Sequence, residues 1–106
     1  MGLFIKKQMD QEAGKAFWEW FSKQEEWIKE NIDTNGMDVV WAIDEKLKPV
    51  FPYFKKELEF QLGYNDGIGE FFFFHFNNKT LKTDGEILKE LMPKDLSERW
   101  NFILDA

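Results

Sequence analysis

The 106-residue chain has no cysteine, three prolines, one histidine, one arginine and two serines. Without cysteine it forms no disulfide and offers no thiolate nucleophile or sulfur ligand, a composition that suits a reducing compartment. His75 alone cannot build a multi-histidine metal site, and no His-Glu-x-x-His pattern occurs. Neither Ser22 nor Ser97 stands in a nucleophile elbow. No metal and no cofactor is therefore expected. The single arginine, Arg99, and scattered lysines supply no basic face, and twenty acidic against fourteen basic residues leave a net charge of -6. Nucleic acid and anionic membranes are disfavoured, whereas a neutral or basic protein partner is easily accommodated. The longest apolar run, Val39 to Ile43, is five residues, against the ~18 that a membrane helix needs. Met1-Gly2-Leu3-Phe4-Ile5-Lys6-Lys7 lacks a secretory apolar core, and Lys6 stands where a myristoylation signal wants Ser or Thr. Asn78-Lys79-Thr80 matches a glycosylation sequon, but no secretory signal accompanies it. The expected location is the cytoplasm.

Aromatics are what the chain has in excess: twelve Phe, five Trp and two Tyr. Five of the Phe crowd into Phe71-Phe72-Phe73-Phe74-His75-Phe76. So aromatic a chain does not stay unfolded, and its mean hydropathy of -0.52 understates the apolar area that Trp and Tyr bury. The length suits one hydrophobic core. Residues 1–106 read as a single domain, either whole or the N-terminal domain of a longer protein.

From about Asp10 to Asn31 the apolar positions Ala13, Ala16, Phe17, Trp20, Phe21, Ile28 and Ile32 recur at three and four, predicting one long helix. Trp18 and Trp27 fall off the centre of that stripe. Asp33-Thr34-Asn35-Gly36 breaks it. A second helix is expected from about Met37 to Lys48, stopped by Pro49 and Pro52, with Met37, Val40, Trp41 and Leu47 marking its buried face and Val39 and Ile43 widening it. The two should pack as a hairpin. The period then changes to two: Glu57-Leu58-Glu59-Phe60-Gln61-Leu62 alternates as a strand with one wet face. Asn65-Asp66-Gly67 supplies a turn, and Glu70 to Phe76 returns as the second strand. Thr83-Asp84-Gly85-Glu86 has the form of a capping box opening a short helix through Leu91. Arg99 to Leu104 is the third strand. The order α-α-β-β-α-β predicts an α+β two-layer sandwich, a small, mainly antiparallel sheet with helices on one face.

The hairpin register decides what the Phe run does. A two-residue Asp66-Gly67 loop sets Leu62 against Phe71, Phe60 against Phe73 and Leu58 against His75. A type I turn over Tyr64 to Gly67 with a bulge at Gly67 shifts the partners by one, so that His75 faces Glu57 on the wet side. The second register is preferred, because it spares the only histidine a site among Leu and Phe. It sends Phe72, Phe74 and Phe76 into the core and leaves Phe71 and Phe73 outside, among Glu57, Glu59 and Gln61. Either the third helix or a tail covers that outer face, or it is an exposed apolar patch for self-association or a partner. The expected partner-binding residues are Phe71, Phe73, His75, Glu57 and Glu59.

Asn65-Asp66-Gly67-Ile68-Gly69-Glu70 and Asp33 to Asp38 share Asp/Asn-Gly chemistry with calcium loops but lack the full ligand spacing, so both read as turns. The Trp residues at 18, 20, 27 and 41 fit a core stripe better than a ligand cage. Phe17-Trp18-Glu19-Trp20-Phe21, together with Leu91-Met92-Pro93 and the closing Trp100-Asn101-Phe102, resembles a group of functionally unassigned bacterial cytosolic proteins. These share a Phe-Trp-x-Trp-Phe helix and a final Pro…Trp-x-Phe strand. The resemblance implies a bacterial cytosolic α+β domain and carries over no catalytic residue. Three functions are weighed. One is a non-enzymatic interaction domain, possible as a homo-oligomer, using the aromatic sheet face. Another is an immunity-type protein that caps a basic toxin. The third is a small enzyme using His75 with nearby carboxylates.

Overall fold

The computed structural model describes residues 9–106; the N-terminal motif Met1 to Lys7 lies outside the described residues. The elements run α1 (Gln11–Lys23), α2 (Glu25–Asn31), α3 (Gly36–Leu47), a 3-10 turn (Lys48–Val50), β1 (Glu59–Asn65), β2 (Ile68–Phe74), α4 (Lys79–Glu90), α5 (Lys94–Ser97) and β3 (Trp100–Asp105). The α+β two-layer sandwich expected from the sequence is the architecture found. The sheet has the order β1-β2-β3.

The one long helix expected over Asp10 to Asn31 is divided at Gln24, which closes α1 and opens α2; its N–H is shared between the carbonyls of Trp20 and Phe21 at 3.0 and 3.1 Å, which tightens that turn. Asp10 caps α1 by accepting the Ala13 N–H at 3.0 Å. The inward face of α1 is Gly14, Phe17, Trp18 and Phe21, so Trp18, off the centre of the sequence stripe, is among the most buried side chains. Its indole N–H donates to the Leu88 carbonyl at 2.8 Å, which satisfies the one polar atom it carries inward.

Four further sequence expectations are corrected. The face of α3 is rotated: Val39, Ile43 and Leu47 are buried as expected, but Met37 and Trp41 are each 74% exposed and Val40 41%. Helix α4 begins a turn earlier than the Thr83 box. Asn78 is the cap, accepting the Leu81 N–H at 3.0 Å, and Phe76 and Asn77 before it take left-handed φ of 51° and 59°. The sheet is mixed: β1 and β2 are antiparallel, but β3 runs parallel to β2, because the crossover through α4 and α5 returns the chain to the end where β2 began.

The fourth correction is the hairpin register. Phe60 pairs with Phe73, Leu62 with Phe71 and Glu59 with Phe74, the arrangement of a two-residue loop. Asp66 and Gly67 have φ of 53° and 81°. Two successive left-handed residues make the turn whose twist matches the strands, and Asp tolerates that region well enough to make the bulge unnecessary. One step of register exchanges the faces. Phe71 and Phe73 are therefore fully buried, at 0% exposure, and Phe72 and Phe74 point outward.

Phe71 is the hub of the core, with Phe17, Trp18, Phe21, Phe60 and Phe102 all within 6.3 Å between ring centres. Two glycines let the layers close. Gly69 lies directly under the Trp100 ring, where any Cβ would overlap it, and a Cβ on Gly85 would meet Leu104 at 2.7 Å. α4 thus lies on the inner face beside Leu104 and Phe73, not over the outer one.

Candidate functional site

The residues expected to meet a partner are split by the register. Phe71 and Phe73 belong to the core. His75 lies just beyond β2 at 6% exposure, on the side of Phe71 and Phe73 rather than beside Glu57. Its Nδ1 accepts the Asn77 N–H at 3.1 Å. One ring nitrogen is thus committed, and burial leaves the imidazole poorly placed to move protons to a substrate. Glu59 is exposed on β1 opposite Phe74. The outer face instead carries Phe72, Phe74 and Ile103, which stay partly in solvent and stand outside the hydrophobic core.

Glu57 has different company. With Trp41, Asp44, Glu45 and Lys48 it lines an open groove of about 420 Å³. Lys48 reaches back one turn to Asp44, with Nζ 3.0 Å from Oδ2. That hydrogen bond, reinforced by the charges of Asp44, Glu57 and Glu45, raises the Lys48 ammonium above its ordinary pKa. Three carboxylates against one ammonium leave the groove acidic at neutral pH. Met37, Val40 and Trp41 continue its apolar wall along α3, since residues three and four apart share a helix face.

The sequence carries a signal for this patch. The stripe 37-40-41 runs on into Asp44, Glu45 and Lys48, all polar, whereas 39-43-47 stays apolar and leads to the buried Val50 and Phe51. The stripe that remains apolar through every turn is the one the core takes.

The buried polar groups elsewhere serve the fold. Glu25, whose side chain is 10% exposed, accepts from Arg99 Nε and a terminal guanidinium nitrogen, both at 2.9 Å, and from the Trp100 indole at 3.1 Å. The Arg99 hydrogen bonds hold its carboxyl below the usual carboxylate range against the opposing effect of burial, and the indole adds to them. Tyr53 donates to the buried Asp84 at 2.7 Å. Burial first, then that bond, pushes the phenol far above its ordinary value. Among the described residues no three His, Cys, Asp or Glu side chains gather as a metal set. No helix of the described residues is long and apolar enough to cross a membrane.

Compared with known proteins, the chain matches no protein-family model, no curated relative and no solved structure.

Proposed function

We propose that this chain is a protein-interaction domain that acts by adhesion rather than catalysis, and that its partner presents a basic, partly apolar surface to α3. The observation that carries this reading is Trp41. A tryptophan at 74% exposure costs solubility unless something uses it. It stands beside two more exposed apolar side chains and above Asp44, Glu45 and Glu57. An aromatic anchor within a charged rim is the composition of an interaction hot spot. An indole face next to carboxylates also suits a guanidinium, which stacks on the ring while pairing with the acids. A second copy of this acidic chain fits that groove poorly, because its charge has the same sign. A basic toxin capped by an immunity-type protein is one partner of this chemistry.

The test uses a synthetic amphipathic peptide with arginines on one face and leucines on the other, and its counterpart with glutamates in place of the arginines. The arginine peptide is expected to bind and shift tryptophan emission, with affinity falling as salt is added. Trp41→Ala should abolish binding without altering the unfolding midpoint. Equal binding of both peptides, or binding that survives Trp41→Ala, would overturn the reading.

A further inference from the structure

The open edge of β3 carries a feature independent of the α3 groove and sharing no residue with it. Arg99 accepts from the Gly69 N–H at 2.8 Å, and Asp105 from the His75 N–H at 2.9 Å. Odd-numbered residues of β3 therefore direct their backbone groups toward β2. Trp100, Phe102 and Leu104 direct theirs away from it, and no strand lies on that side among the described residues. Lys89, Met92 and Ser97 form a wall beside this edge, leaving an open groove of about 410 Å³ along β3.

Edge strands are ordinarily guarded by lysine, proline, a bulge or a covering side chain. At the other edge, β1 carries Glu59 and Gly63, and the Lys29 ammonium sits 5.3 Å from the centre of the Tyr64 ring. Trp100-Asn101-Phe102-Ile103-Leu104-Asp105 has no lysine, proline or glycine. We propose that the open edge of β3 pairs antiparallel with β3 of a second copy, joining two sheets into one.

The second copy is preferred because the strand is complementary to itself. With Phe102 opposite Phe102, the outward-directed backbone groups of Trp100 meet those of Leu104 in the other copy, so that every such pair exchanges hydrogen bonds in both directions. The same register brings Arg99 opposite Asp105 at both ends of the ladder, opposite charges in each case. Arg99 already donates to Glu25 and to the Asp95 carbonyl, but with 41% of its side chain in solvent the second N–H of each terminal nitrogen is left for that contact. Trp100, Phe102 and Leu104 stay on the inner side, where Met92 of each copy extends the apolar layer. Each copy carries a charge of -6, so general repulsion opposes pairing, and added salt tightens it. That dependence is the reverse of the one expected at the α3 groove.

Sedimentation across a concentration series tests this, with a dimer expected to build up into the high-micromolar range. Asn101 lies opposite Ile103 of the second copy, both on the outer face, so Asn101→Lys with Ile103→Lys sets like charges against each other. That pair should weaken the dimer about tenfold or more while circular dichroism stays unchanged. Asn101→Lys with Ile103→Glu sets opposite charges in the same places and should restore the dimer. A wild-type chain that stays monomeric throughout the series, a dimer that survives the lysine pair, or a lysine–glutamate pair that restores nothing overturns β3 pairing.

Discussion

Phe71 and Phe73 alternate along β2 with Phe72 and Phe74, the same side chain on the two faces of one strand. The inner pair is fully buried beneath α1 and α4, at 0% exposure. The outer pair looks away from every described element that packs on the sheet and keeps part of its surface in solvent. Composition treats all four alike, yet only two of them hold the domain together. The difference shows that an aromatic run marks the strand, while its pairing register assigns each ring its task.

The comparison breaks most visibly on truncation. Phe71→Ala removes the ring on which five others converge, and should cost about 4 kcal/mol in chemical denaturation. Phe74→Ala, on the same strand and facing outward, should cost about 1 kcal/mol or less. Similar losses at the two positions would mean that the outer face is covered after all.

A smaller effect sharpens the inner face from the opposite direction. Gly69→Ala puts a methyl into the Trp100 ring, and the overpacking should cost about 2–3 kcal/mol. Trp100 fluorescence would report the displacement. Gly63→Ala offers the contrast, because no atom lies within 4 Å of where its Cβ would be; its stability should change by about 0.5 kcal/mol at most.

The smallest of the three losses lies at the rim of that face, where Glu25 ties Arg99 and Trp100 to α2. Its carboxyl is held below its ordinary value when folded. The stability it contributes is therefore complete above the unfolded value, about 4.3, and is lost as pH falls through the lowered one. Glu25→Gln should cost about 1–2 kcal/mol at neutral pH, discounted for the solvent at Arg99. It should also flatten the acid limb of the stability profile. An unchanged acid limb would show that the ion pair contributes nothing to folding.

Much of the architecture was legible along the chain. The 3.6-residue stripe through Phe17 and Phe21, the alternating segment from Glu57, whose strand begins at Glu59, and a hairpin turn within Asn65-Asp66-Gly67 each follow from local chemistry. Local chemistry is ambiguous where two solutions have similar merit. Thr83 and Asn78 are both competent caps, and the left-handed turn at Phe76-Asn77 decided for Asn78. Either apolar stripe of α3 could have faced inward, although the polar continuation of 37-40-41 through Asp44, Glu45 and Lys48 pointed to the correct one. For the hairpin, avoiding a buried histidine outweighed the preference of Asp-Gly for the tightest turn. The fold instead buries His75 and gives its Nδ1 the Asn77 N–H as a partner. Of the expected contact residues, Glu57 alone lies in the groove described beside α3.

By itself the sequence determined that this chain folds around aromatic rings and, broadly, which segments are helix or strand. Those properties depend on residue type and on periods of two and 3.6, all written locally. Only the tertiary structure decided which Phe are inside and that Trp41 faces solvent. It alone set β3 parallel to β2, with an edge that no strand covers among the described residues. Faces in a strand alternate with each residue, so one step of register reverses every assignment, and that step is set by contacts between segments far apart in the chain.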